Sequence, residues 1–227
     1  MTGSLPPPAA RDRYRALGLR HNPFAAPERG APPLTAFVDR GLPHPPAPGS
    51  TTLVQVIGDS GLGKSTQLQH WRQHTPGPYH WIPRTPYAAR WARPPQADDA
   101  EGIIYGDEID RMPAPLRRRW FRQLARAGTT LVIGTHADLS SLGKRAGFSV
   151  VTHQLQPAGP ELLAEMANRR LIDAACGPIP AVQFSTVEVA DVAARCNGNP
   201  GAADELFHQL LAQRAQRRTA EQLLDRR

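Results

Sequence analysis

Leu53-Val-Gln-Val-Ile-Gly-Asp-Ser-Gly-Leu-Gly-Lys-Ser-Thr66 reads as a strand, a glycine-rich loop and the first turn of a helix. The apolar run Leu53–Ile57 leads straight into Gly58–Ser65, which fits G-x-x-x-x-G-K-[ST]. Glycines at Gly58, Gly61 and Gly63 let the backbone N–H groups of the loop, including those of Asp59, Ser60 and Leu62, turn inward on the β- and γ-phosphates of a nucleotide. Lys64 is placed to reach the same oxygens, the Ser65 hydroxyl to ligate Mg²⁺, and Thr66 to continue the cradle into the helix. A helix starting near Gly63 adds its N-terminal partial positive charge to the same anion. The bland alternative is a loop that merely joins strand to helix, and the strand directly before it favours the cradle.

A second stretch, Gly102-Ile-Ile-Tyr-Gly-Asp-Glu-Ile-Asp110, is an apolar strand ending in two adjacent carboxylates. Opposite a phosphate loop, the first carboxylate can hold Mg²⁺ through water and the next can polarise an attacking water. Asp107 takes the metal role and Glu108 the base role. Read alone, the same residues are a solvent-facing turn before a helix over Pro113–Ala127. Thr129–Gly134 is a further strand, ending at Thr135-His136-Ala-Asp138. Thr135 there is a candidate for orienting water near the γ-phosphate, with His136 in reserve; capping of the following short helix is the alternative role. Arg145 precedes a last strand near Ser149–Leu155, where a guanidinium can act on a neighbouring subunit's nucleotide or stand on a solvated surface.

The chain has 227 residues, of which 40% are hydrophobic, enough for one α/β domain with a small appendage but not for two catalytic domains. No apolar run approaches bilayer length, and Met1–Ala10 lacks a basic start followed by an apolar segment, so a cytoplasmic protein without a membrane span is expected. Cys176 and Cys196 form no C-x-x-C pair and are expected to be reduced. The eight histidines are scattered, and no metal site beyond nucleotide-bound Mg²⁺ is expected. Net charge is +7, which suits a polyanion such as nucleic acid. Of 27 basic residues only Lys64 and Lys144 are lysines, however, a bias that a GC-rich genome produces without selection for binding. The densest clusters are Arg117–Arg119 with Arg122 and Arg126, and Arg214, Arg217, Arg218, Arg226 and Arg227.

Eleven of the 24 prolines lie in residues 1–50, an extended arm with one short helix around Arg11–Leu17. Leu17, Leu19 and Phe24 anchor its end, either beside a nucleotide base or as plain core closure. Residues 51–156 alternate strand and helix, the signature of a parallel sheet with crossover helices. The helix from Gly63 to His74 turns Leu68 and Trp71 inward, and Tyr79–Ile82 is a short strand. Pro83–Ala100 is an irregular excursion whose Tyr87 and Trp91 either pack or bind. Residues 157–218 read as a helical lid with helices over Pro160–Ala174, Thr186–Cys196 and Pro200–Arg218, followed by a basic tail, 219–227.

Taken together, Gly58–Ser65, Gly102–Glu108, Leu131–Thr135, Arg145 and a helical lid with Gly198-Asn-Pro200 resemble the AAA+ ATPases and their STAND relatives. The N-terminal stretch Leu17-Gly-Leu-Arg-His-Asn-Pro-Phe24 is similar to that of small bacterial transposition-helper and secretion-associated ATPases. The resemblance implies a three-layer P-loop NTPase fold with a parallel sheet ordered 5-1-4-3-2, ATP with Mg²⁺, and work done as a homo-oligomer. It also marks a departure, since many AAA+ lids carry an arginine directly after Gly-Asn-Pro, whereas this chain has Gly201. The expected function is a Mg²⁺-dependent ATPase acting as an assembly switch. It is either a DNA-handling helper on duplex DNA or a STAND-like signalling or scaffold ATPase acting on a protein partner. A small-molecule kinase is the weaker third reading.

Overall fold

All six residues of β1 (Thr52–Ile57) are buried, as befits a central strand of a parallel sheet covered on both faces. The computed structural model describes residues 14–24, 34, 37–83 and 102–224. Tyr87 and Trp91, about half of the proline-rich arm, and Arg226 and Arg227 lie outside the described residues; the expected Arg11–Leu17 helix is described only from Tyr14. The chain divides into two compact units, Asp39–Gln156 and Met1–Val38 with Pro157–Arg227.

In the unit Asp39–Gln156, β1 is followed by α1 (Lys64–His74), β2 (Tyr79–Trp81) and β3 (Ile103–Asp107). A 3₁₀ turn (Ile109–Arg111), α2 (Ala114–Arg126), β4 (Thr130–Thr135), α3 (Ser140–Ala146) and β5 (Ser149–Gln154) complete it. All strand pairs are parallel and the sheet runs β2-β3-β4-β1-β5, the expected order read from its other edge. Alternation along the strands builds three layers. Leu53, Ile104, Leu131 and Ile133 pack with Trp120, Phe121 and Leu124 of α2. Val54, Val56, Ile103, Tyr105 and Val132 pack with Leu68 and Trp71 of α1. The register pairs Ile57 with Thr135 and Asp107 with Gly134, so the carboxyl ends of β1, β3 and β4 are brought level. Open α/β sheets bind ligands at that edge, where the strand order reverses.

The second unit holds α4 (Pro160–Ala174), α5 (Thr186–Cys196) and α6 (Pro200–Leu224). Leu163, Leu171, Val189, Val192, Phe207 and Leu211 share one buried cluster with Tyr14, Leu17, Leu19 and Phe24. The N-terminal stretch therefore closes the core of the helical unit. Asn22 fixes its turn: its Oδ1 accepts from the Phe24 N–H at 3.0 Å and its Nδ2 donates to the Tyr14 hydroxyl at 3.2 Å. Ser185 and Glu188 form a capping box at the start of α5. Gly198, with φ 68°, ends that helix, and a Cβ there would meet the Ala158 carbonyl oxygen at 2.6 Å. With no glycine or proline after Gly201 to stop it, α6 runs on to Leu224, so residues 219–224 are helical. Cys176 and Cys196 are free thiols. Among the described residues, no helix is long and apolar enough to cross a membrane.

Candidate functional site

The loop after β1 is shaped by two demands on its glycines. Gly61 and Gly63 sit at φ 87° and 95°, a region that other residues adopt only with strain. Gly58 is a matter of space, since a Cβ would come within 3.1 Å of Leu62 and 3.2 Å of Leu155. Leu62 is buried in the α1-side core and anchors a loop whose Asp59, Ser60 and Gly61 are exposed. The Gly58 N–H donates to the Thr135 carbonyl at 3.3 Å, tying the loop to the end of β4.

Lys64 opens α1 and is only 4% exposed. Its Nζ donates to the carbonyls of Gly58 at 2.7 Å and Asp59 at 3.0 Å. Burial lowers its pKa from the ordinary value, opposed by the charges of Glu108, Asp107, Asp110 and Asp59. A cation sheltered under a loop and faced by four carboxylates is a strong local source of field. Ser65, the next residue, donates its hydroxyl to Asp107 Oδ2 at 2.5 Å. Thr66 follows, half-buried, in the same turn.

Asp107 is buried at the end of β3 and held from several sides. Tyr79 of β2 donates its hydroxyl to Asp107 Oδ2 at 2.9 Å, and the Glu108 N–H donates to Oδ1 at 3.0 Å. Burial, then the Asp107 charge, push the Tyr79 phenol up, which keeps it a donor. Gly134 supplies the room: a Cβ there would lie 2.5 Å from Asp107 Oδ1. Hydroxyl and carboxylate oxygens this close are the hard donors that Mg²⁺ takes, so the residues present fit a magnesium nucleotide.

Glu108 is a non-glycine residue at φ 60° and is 8% exposed. Such conformations cost about 1–3 kcal/mol and gather at functional sites. Its carboxylate pairs with Arg111 at 2.7 Å and lies 3.4 Å from His136 Nδ1. His136 also meets Asp110, its Nδ1 lying 3.3 Å from Oδ2. Thr135 is fully buried, and its hydroxyl donates to the Ala137 carbonyl at 2.8 Å and accepts from the Ala137 N–H at 3.1 Å. It thus closes its own turn and does not cap α3, which begins only at Ser140. Asp138 serves that end, accepting from the Ser140 N–H at 2.7 Å.

Behind this turn stands Gln55, fully buried in the middle of β1. Its Nε2 lies 2.7 Å from Asp138 Oδ1, 2.6 Å from Ser140 Oγ and 2.8 Å from Thr152 Oγ1. Its Oε1 accepts from the Leu139 N–H at 3.0 Å, so one side chain pins the segment after Thr135 to the sheet. Arg145 stands apart, exposed near the end of α3. It lines a cleft of about 580 Å³ with Arg117, Arg118, Arg122 and Asp138. Arg117 is spent structurally, donating to the carbonyls of Asp110 at 2.7 Å and Ile109 at 3.3 Å.

The structure thus brings together Gly58–Thr66, Asp107, Glu108 and Thr135, and leaves Arg145 on another face. Sequence reasoning missed Tyr79, Gly134, Arg111, Asp110 and Gln55. Arg111 and Asp110 carried a signal, lying within three residues of Glu108; Tyr79 and Gln55 carried none without the strand pairing.

No protein-family model matches the chain and no curated protein does. Among solved structures it is similar to RuvB of Thermotoga maritima, an AAA+ protein. One mutant form superposes with a TM-score of 0.50 at 17% identity, covering 69% of this chain and 53% of that one. A second mutant form gives 0.48 at 19% identity, with the same coverage. PCH-2 of C. elegans gives 0.46 at 12% identity over 72% of this chain and 62% of that chain. The chain spans about half the length of the RuvB structures it matches. The fold is that of the AAA+ P-loop NTPases.

Proposed function

We propose that this chain is a Mg²⁺-dependent ATPase that uses ATP to switch its assembly state. The observation that carries the reading is the contact between Ser65 Oγ and Asp107 Oδ2 at 2.5 Å, beside a lysine buried under a glycine loop. Ser65 and Asp107 would hold Mg²⁺, which when bound neutralises charge on the phosphate oxygens. Lys64 and the loop N–H groups bind and orient the β- and γ-phosphates. Glu108 takes the proton of the attacking water, and its ion pair with Arg111 is the contact it leaves to do so. Thr135 orients that water through the turn it closes. Phosphate release and ATP binding test this directly. Glu108→Gln retains ATP affinity and loses turnover; near-normal phosphate release by that variant removes Glu108 from the mechanism.

For the partner, the reading is a homo-oligomer in the cytoplasm that handles duplex DNA. It is supported by four exposed arginines on α2, Arg118, Arg119, Arg122 and Arg126, and by the cleft through which Arg145 would act on a neighbour's nucleotide. Such binding is ATP-dependent and weakens steeply with salt; no binding at low salt with ATP present rejects it. The second reading, a signalling or scaffold ATPase acting on a protein partner, is favoured by Gly201 in place of a lid arginine. Mass in solution with and without non-hydrolysable ATP, each with and without duplex DNA, separates the two.

A further inference from the structure

The C-terminal end of α1 and the segment before β1 bring together three histidines that the sequence spreads over 31 positions. We infer that His44, His70 and His74 form a binding site for a divalent transition metal of the Zn²⁺ class, separate from the nucleotide site. One ligand nitrogen from each lies within 4.8 Å of the others. The ring centroids stand 6.0 Å apart for His44 and His70, 5.1 Å for His44 and His74, and 4.8 Å for His70 and His74. A tetrahedral Zn²⁺ with Zn–N near 2.0–2.1 Å needs nitrogens about 3.3 Å apart. His44 is exposed and free to rotate by the remaining distance of about 1.5 Å.

Each ring is placed by something other than chance proximity. His70 and His74 are four apart on one helix, hence on one face. His74 Nδ1 lies 3.0 Å from the His70 carbonyl oxygen, so that nitrogen carries the proton and Nε2 keeps its lone pair. This backbone-fixed tautomer is the usual support of a metal-ligating histidine. His44 sits in Leu42-Pro-His-Pro-Pro46, where flanking prolines hold the backbone extended. Leu42 packs on the core shared by Leu68 and Trp71, and the Gly49 N–H donates to the Gly102 carbonyl at 2.8 Å, so both sides of the segment are anchored.

Three imidazoles with an open position suit Zn²⁺, Ni²⁺, Co²⁺ or Cu²⁺ and disfavour Mg²⁺, which prefers oxygen. The ion would clamp the segment before β1 to the helix that carries Lys64 and Ser65. His70 stands six residues, about 9 Å of helix, beyond Lys64, so loading this site leaves the phosphate loop itself intact.

The test uses the full chain without a histidine tag, stripped by chelator and titrated with Zn²⁺ alone. Saturation at one equivalent is expected, with a rise in Tm of about 5–10 °C at a hundredfold excess over Kd. Co²⁺ should give the visible bands of a four-coordinate site. The exposed His44→Ala weakens binding at least about tenfold, since a lost ligand costs no less than a lost supporting contact. His70→Gln with His74→Gln abolishes it. His136→Gln, which alters the other cluster of metal-capable side chains, Glu108, Asp110 and His136, leaves the equivalent in place. The absence of a saturable equivalent, an affinity unchanged in His44→Ala, or loss of the equivalent in His136→Gln instead would overturn the assignment.

Discussion

The two units bury their charged groups in different ways. In the helical unit, Arg170 pairs with Asp204 at 2.8 Å, and its guanidinium lies 5.8 Å from the centroid of the Phe24 ring. Cation, anion and ring are thus matched within the unit. At the strand ends of the other unit, Lys64 is buried against two backbone carbonyls, while Asp107, Glu108, Asp110 and Asp59 face it without closing a pair. A buried charge answered by one partner holds a core together; a buried lysine that closes no ion pair, set among carboxylates of which Glu108 is matched by Arg111, is the arrangement expected of a binding site. The difference separates structure from chemistry better than burial alone does.

Substitutions in the two units should therefore fail in different assays. The largest effect belongs to Lys64→Ala, for which phosphate release should fall about a thousandfold or more while the thermal unfolding midpoint is little changed. A stability loss matching the loss of turnover would erase the contrast. Phe24→Ala should do the reverse. Its ring packs on Phe184 and Phe207 with centroids 5.8 and 5.3 Å away, and its removal should cost about 3–5 kcal/mol by chemical denaturation. ATP affinity should persist wherever the protein stays folded.

Gln55→Ala tests the boundary between these cases, because Gln55 is buried inside the sheet unit and pins both the segment 138–140 and Thr152 of β5. A cost of about 1–3 kcal/mol is expected from the orphaned partners, with a decrease in turnover and little change in ATP affinity. The smallest effect is the pH response of Asp204, whose pKa burial raises to about 6 despite Arg170. A carboxyl with a raised folded pKa adds stability that is complete below its unfolded value, near 4, and is lost as pH rises through about 6. Unfolding free energy should fall by about 2 kcal/mol from this group, spread over the interval between pH 4 and pH 7. Asp204→Asn should flatten that slope, and an equal slope in the variant would show that other groups set it.

Much of the fold was legible because its signals are local. Apolar runs capped by glycine or proline placed β1, β3, β4 and the three later helices close to where they lie. The phosphate loop was readable for the same reason, its eight residues being contiguous and their conformations set by Gly61 and Gly63. The N-terminal stretch was ambiguous on paper. It resolved as core closure once Leu17, Leu19 and Phe24 were seen among the helices. Thr135 shows the limit, since nothing in the sequence said that its hydroxyl would be taken up by Ala137.

By itself, then, the sequence determined that a glycine-rich loop of the G-x-x-x-x-G-K-[ST] pattern follows a buried strand, that two carboxylates end another strand, and that helices follow. Each is a matter of neighbouring residues and backbone preference. Only the tertiary structure decided which of these groups meet. The parallel register sets Asp107 against Ser65, Tyr79 and the space left by Gly134, and the anchored segment before β1 brings His44 to His70 and His74. Those contacts join residues 26 to 42 positions apart, a separation over which local preference carries no information and sheet pairing and core packing carry all of it.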